Sequence, residues 1–188
     1  MKSGIDLAPL TEALRSIKNS VSGKRPIKII CVEVFNYDQL SEAAKEKALQ
    51  WYGDASCHDE WWDCIYEDAA NIGLKISGFD LDRNRHAEGK FTLDAITVAQ
   101  TIYENHGSTC ETFKTAQAFV TDREGLDKTS DEYDDMARDK EEYFRKSLLE
   151  DYSIMLQREL DYRQSREQLE EMIESNGYTF TENGKRFG

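Results

Sequence analysis

From Asp131 to Ser175 the chain runs without a glycine or a proline, and Tyr133, Ala137, Phe144, Leu148, Met155, Leu156, Leu160 and Leu169 return to one side at helical spacing. Such a segment predicts a long C-terminal helix. It is bent or broken midway, because the apolar stripe thins after Tyr162, and it ends at Asn176-Gly177. Together with the shorter helices and strands read below, it predicts a helix-rich α+β fold with a small three- or four-stranded, mostly antiparallel sheet.

The remaining elements are read from pattern and punctuation. Ile27 to Phe35 (IKIICVEVF) is rich in β-branched residues and predicts a strand. Ser41 is placed as the N-cap of a helix through Ala43–Tyr52, with Glu42 favourable to its dipole. A second helix from about Cys57-His58-Asp59 puts Trp61, Ile65, Ala69 and Ile72 on one stripe and stops at Gly73. Leu74–Leu81 predicts a strand with Gly78 at a bulge, residues 83–89 a turn, and Lys90–Ala95 the returning strand. Helices are expected near 94–105 and 109–121, with a charged loop at 122–130, and Tyr178-Thr179-Phe180 with Asn183-Gly184 predicts a last short hairpin.

Charge divides the chain unevenly. The first 35 residues hold six bases and three acids, a local +3. Since the whole chain carries −13, the remainder carries −16. Residues 1–26 are read as a basic amphipathic leader helix, broken at Ser22-Gly23-Lys24-Arg25-Pro26, and residues 27–188 as a single acidic α+β domain. A net-acidic body argues against direct nucleic-acid binding, which needs bases to replace phosphate counterions. The N-terminus has no apolar signal core, and no apolar run approaches the roughly 18 residues of a membrane span, so no membrane partner is expected. Four cysteines without a disulfide-framework spacing predict a reduced, cytoplasmic protein.

No motif identifies a reaction. The chain lacks G-x-S-x-G, a P-loop and G-x-G-x-x-G. Asp80 and Asp82 alternate onto one strand face and, with His86, form a weak candidate metal set; the opposing reading pairs the aspartates with Arg83, Arg85 or Lys90 on neighbouring strands. An EF-hand is excluded, since the sixth and twelfth loop positions hold Arg85 and Phe91. Cysteine spacings do not fit structural zinc, and no cofactor is expected. Cys110 near His106 is the one conceivable thiolate–imidazole pair, with His106 otherwise read as part of a helix C-cap. The stronger signal is acidity. Asp54 to Asp68 contains six acids and no Lys or Arg, interleaved with Trp61, Trp62 and Tyr66; Asp122 to Asp151 has twelve acids against six bases. Carboxylates repeated on a rigid surface can imitate a phosphate row and engage a basic cleft. The expected partner-binding residues are Asp54, Asp59, Glu60, Trp62, Asp63, Glu67 and Asp68, and because Trp62 falls off the Trp61 stripe, one of the two tryptophans is expected to be exposed.

A longer likeness runs through Tyr37-Asp38-Gln39-Leu40-Ser41-Glu42-Ala43-Ala44-Lys45-Glu46-Lys47-Ala48, Trp61-Trp62-Asp63-Cys64-Ile65-Tyr66-Glu67-Asp68-Ala69, Phe79-Asp80-Leu81-Asp82-Arg83, Cys110-Glu111-Thr112-Phe113 and Tyr178-Thr179-Phe180-Thr181-Glu182-Asn183-Gly184. Over about residues 30–187 the chain resembles a family of small phage and prophage proteins often labelled antitoxins of a toxin–antitoxin stability system. The resemblance implies a bacterial host cell and brings no catalytic residues with it. With the acidity, it leads to the expectation of an inhibitor that occupies the basic, nucleic-acid-binding surface of a host defence or nuclease protein, in the manner of an anti-CRISPR. The alternatives are an antitoxin that neutralises a cognate toxin, and a metal-dependent enzyme using Asp80 and Asp82.

Overall fold

The computed structural model describes residues 32–56 and 60–188. The leader 1–26, the first part of the expected strand and Asp59 lie outside the described residues. The chain divides into two units at Val34/Phe35, and the fold that follows is that of the second. In chain order it comprises β1 (Phe35–Asn36), a 3₁₀ turn (Tyr37–Gln39), α1 (Glu42–Ser56), α2 (Asp63–Asn71), β2 (Leu74–Asp80), β3 (His86–Phe91), α3 (Ala95–Asn105), α4 (Glu111–Glu124), α5 (Tyr133–Arg163), α6 (Arg166–Ser175), β4 (Thr179–Phe180) and β5 (Arg186–Phe187).

The fold is α+β, as expected, with the strands split between two antiparallel sheets. One is the β2–β3 hairpin; the other has the order β1-β4-β5. Of the expected strand at Ile27–Phe35, residues 27–31 lie outside the described residues and Val32–Val34 is irregular; among the described residues pairing begins at Phe35, which lies opposite Phe180. Propensity alone does not make a strand; an edge to pair with does, and here that edge is the two-residue β4.

The long helix forms over 31 residues and stops at Arg163. Ser165 accepts from the Gln168 N–H at 3.3 Å, so one hydroxyl caps a new helix and redirects the chain. Ser41 does the same for α1, accepting from Ala44 N–H at 3.3 Å. The hairpin departs from expectation in its second arm. The returning strand is His86–Phe91, and Asp94 is an N-cap whose Oδ1 accepts from Thr97 N–H at 3.0 Å and whose Oδ2 accepts from the Thr97 hydroxyl at 2.6 Å. This cap chemistry outweighs the period-2 pattern at 90–95. The bulge falls where expected: the register slips between Ile76 and Gly78, leaving Ser77 as the extra residue.

Two apolar clusters hold the unit. The larger joins Ile72, Leu74 and Ile76 to Val98, Ile102, Phe119, Phe144, Leu148 and Tyr152, with the Phe119 and Phe144 rings stacked at 4.3 Å. The smaller joins Tyr37, Leu40, Ala48 and Leu49 to Leu169, Ile173 and Phe180. α5 lies along the first and α6 along the second, so the break at Gln164-Ser165 is what lets one polar-faced segment serve both. Gly73, at φ +83°, turns α2 into β2, and its carbonyl accepts from Thr92 N–H at 2.8 Å; a β-carbon there would meet Leu93 Cδ1 at 2.7 Å. The hairpin is tied to α5 by Arg145, which donates to Gly89 O at 2.9 Å, and by Arg85, which donates to Glu150 at 2.8 Å.

Candidate functional site

Of the acidic residues singled out in the sequence, Asp63, Glu67 and Asp68 lie on α2, Glu60 just before it and Asp54 on α1. The inner side of α2 carries Ile65 and Ala69 into the larger core, which leaves Asp63 and Glu67, four residues apart, exposed on the other side. Glu60 precedes the helix and is exposed; Asp54 is exposed near the end of α1. None of the four makes an ion pair within 4.0 Å among the described residues. In the 122–151 region five of the twelve acids are paired, and seven, like these four, make no ion pair within 4.0 Å among the described residues. Glu141 binds Arg123, Asp122 binds Lys140, and Glu142 binds both Arg145 and Lys146. The Glu142 pairs follow from bases at three- and four-residue spacing on α5, the Asp122 and Glu141 pairs from the packing of α4 against α5, and no Lys or Arg stands between Asp54 and Asp68.

Asp68 has a different role from its neighbours. Its Oδ2 accepts from the Tyr152 hydroxyl at 2.7 Å, and its Oδ1 lies 3.6 Å from His106 Nε2. Its side chain remains 42% exposed while it serves as the acceptor of the buried Tyr152 hydroxyl. The expectation that one tryptophan is exposed is corrected: Trp61 and Trp62 are both half-buried, the Trp62 ring 5.6 Å from Trp61 and 5.6 Å from Phe79 on β2, both edge to face. The bulge at Ser77 shifts the hairpin register just before Phe79, and Phe79 is the ring that both tryptophans meet.

These rings floor an open groove of about 680 Å³, walled by Asp80, Leu81 and Asp82 from the β2–β3 turn and by Gln157, Leu160 and Arg163 from α5. Asp80 Oδ1 accepts from Asp82 N–H at 2.8 Å, a side-chain turn that shapes the lip. Among the described residues neither aspartate makes an ion pair with Arg83, Arg85 or Lys90, and Arg85 is engaged by Glu150 instead. His86 sits opposite Asp80 across the hairpin but is turned to its own strand: Nδ1 is 2.6 Å from Asn84 O, and Nε2 is 3.6 Å from Glu88. The hydrogen bond to Asn84 O and the Glu88 carboxylate hold its imidazole above the ordinary histidine range. No three His, Cys, Asp or Glu side chains converge as a metal would require among the described residues.

A second cavity, of about 580 Å³, opens where α2, α4 and α5 meet around His106. His106 Nδ1 is 2.7 Å from the buried Thr112 hydroxyl, so both ring nitrogens face partners other than Cys110. Cys110 is exposed at the N-cap of α4, makes no capping bond, and forms no hydrogen bond with His106; the thiolate–imidazole pair suggested by the sequence does not form. His106 does cap α3, donating its N–H to Ile102 O. Asp151, in the same cavity, accepts from the Thr115 hydroxyl at 2.7 Å. Burial nevertheless holds its carboxyl above the usual range, with the nearby Glu111 and Glu150 carboxylates adding to the shift. Tyr152, Thr112 and Asp151 were not legible as site residues. The one available signal was a hydroxyl inside the apolar stripe of a long helix, where a buried donor demands an acceptor.

Comparison with protein-family models, curated proteins and solved structures finds no match to this chain. The fold and site themselves define a helix-rich α+β protein whose described residues include an unpaired carboxylate row beside an aromatic groove.

Proposed function

We propose that this chain is a binding protein that docks onto a basic surface of another protein. In the phage setting that the resemblance implies, it inhibits a host defence or nuclease protein by covering its nucleic-acid-binding cleft. The observation that carries the reading is the state of Glu60, Asp63 and Glu67: exposed, on or next to one helix, and without a neutralising partner within 4.0 Å among the described residues. Like charges four residues apart cost a helix about 0.2–0.5 kcal/mol. Asp63 stands in the first turn of α2, where the helix dipole favours a carboxylate, whereas Glu67 has no ion pair among the described residues and is the group whose counter-charge is expected on a partner. Trp61 and Trp62 adjoin this row in sequence and supply the aromatic content of an interface centre.

The test is capture of partners from a bacterial host lysate by the full chain, at about 50 mM and about 500 mM salt, where screening lengths differ severalfold. The expected result is a discrete partner retained at low salt, released at high salt and lost with Asp63→Lys/Glu67→Lys. A partner held equally by the wild type and the charge-reversed variant at both salts refutes the reading, as does capture of no partner.

A further inference from the structure

We infer that the groove between the start of α2, the β2–β3 turn and the last turns of α5 is an arginine-binding site, receiving a guanidinium-bearing side chain from the protein partner. This rests on the proposal that the partner presents a basic surface, and it names the contact that anchors the complex.

The groove combines two features that separately attract a planar cation. Its floor consists of Trp61, Trp62 and Phe79, whose rings stand at 78°, 63° and 69° to one another with centroids 5.6–5.8 Å apart. Rings so steeply inclined form corners instead of a flat stack. All three are half-buried, so part of each ring remains open. Aromatic faces carry the negative end of the ring quadrupole and attract cations, arginine more often than lysine. The lip adds full charges. Asp80 spends only Oδ1 on the turn, and the Asp82 side chain accepts no bond, so three carboxylate oxygens stay free of hydrogen bonds among the described residues. Arg163, the base among the lining residues, is held by Glu159 at 2.7 Å, and Gln157 donates to Asp161, which leaves its amide oxygen as a further acceptor.

Alternative occupants fit less well. An anion meets the two aspartates. An apolar side chain covers the rings but strips water from carboxylates without pairing them, at a cost. A lysine supplies charge but neither the planar stacking surface nor the fork that matches a carboxylate edge. At about 680 Å³ the groove also exceeds one side chain, which suits a segment carrying the arginine better than a free amino acid.

The experiment titrates the full, uniformly labelled chain with three capped tripeptides that differ only in a central arginine, lysine or citrulline, and follows the indole N–H signals by NMR. The indoles of Trp61 and Trp62 are expected to shift saturably with the arginine peptide. Trp51 serves as an internal control, since it packs with Tyr178 and Phe180 in the smaller cluster. Citrulline, alike in shape but uncharged, is expected to bind at least about tenfold more weakly, as is the arginine peptide to Asp80→Asn/Asp82→Asn. The amide oxygen that Asp80→Asn introduces can accept the same backbone N–H two residues on, so the turn survives, and an unchanged thermal melt checks that it has. Equal response to citrulline, undiminished binding by the double variant, or no movement of Trp61 and Trp62 at millimolar peptide overturns the assignment. If the peptides fail while Asp63→Lys/Glu67→Lys still abolishes capture, the arginine site is wrong and acidic docking stands. If the arginine peptide binds as described and no salt-sensitive partner is captured, the site stands and the wider reading falls.

Discussion

Replacing Tyr152 by phenylalanine tests whether Asp68 is an internal acceptor or a member of the docking surface. Tyr152 is fully buried on α5, and its hydroxyl donates to Asp68 Oδ2 at 2.7 Å. Tyr152→Phe keeps the ring and removes one charge-assisted hydrogen bond. Losing a buried hydrogen-bond partner costs about 1–3 kcal/mol. The Asp68 side chain is 42% exposed, so water can replace the lost donor, which places the expected cost near the low end, about 1 kcal/mol at neutral pH. Asp68→Ala removes the acceptor instead and leaves the buried hydroxyl unpaired, so it is expected to cost more, about 2–3 kcal/mol.

The pH dependence supplies an independent readout. Burial, and secondarily the Asp68 carboxylate, hold the Tyr152 phenol far above its ordinary value of 10.0. The folded state therefore keeps this proton at pH values where the unfolded chain has released it. The stabilisation is complete below the unfolded value near pH 10 and is lost as pH rises above it, at about 1.4 kcal/mol per pH unit for one group. Tyr152→Phe removes that share of the alkaline slope, leaving those of Tyr37, Tyr66 and Tyr103, whose phenols burial also raises. Urea unfolding at pH 7, 9, 10.5 and 11 measures both quantities. An unchanged alkaline slope with no loss of stability at pH 7 refutes the internal-acceptor role. With it intact, Asp68→Asn is expected to leave partner capture unaltered, unlike reversal of Asp63 and Glu67.

Three further outcomes are expected. Gly184→Ala should destabilise the C-terminal hairpin by more than about 2 kcal/mol, because Gly184 has φ +81° and a β-carbon there would lie 2.1 Å from Ala44 O; thermal melting checks it. Asp151→Asn should raise stability at neutral pH, because burial penalises the charged carboxyl there. The raised value means that wild-type Asp151 favours folding only in its protonated form, so the gain should shrink as pH falls through the acid range, as denaturant curves at pH 7 and pH 4 would show. Lys90→Glu should stabilise the hairpin by about 0.2–1 kcal/mol, since Lys75 lies directly opposite, and the gain should fade at high salt.

The sequence by itself determined the elements whose signal is local. The helical run to Arg163, the caps at Ser41 and Asn176-Gly177, and the bulge beside Gly78 follow from spacing, hydroxyls and missing side chains that act within a few residues. The acidic stretch was equally legible, because a helix without bases cannot neutralise itself. What the tertiary structure decided are the pairings across the chain. These are the meeting of Phe35 with Phe180, the bonding of Asp68 to Tyr152, 84 positions away, and the closing of Trp61 and Trp62 on Phe79 into a groove with Asp80 and Asp82 at its lip. A carboxylate at Asp63 and one at Asp68 are the same chemical group in sequence. Only the packing of α2 against α5 makes one a surface charge and the other a buried tyrosine's acceptor, because burial and partner, the two things that set a carboxylate's role, are properties of the folded neighbourhood.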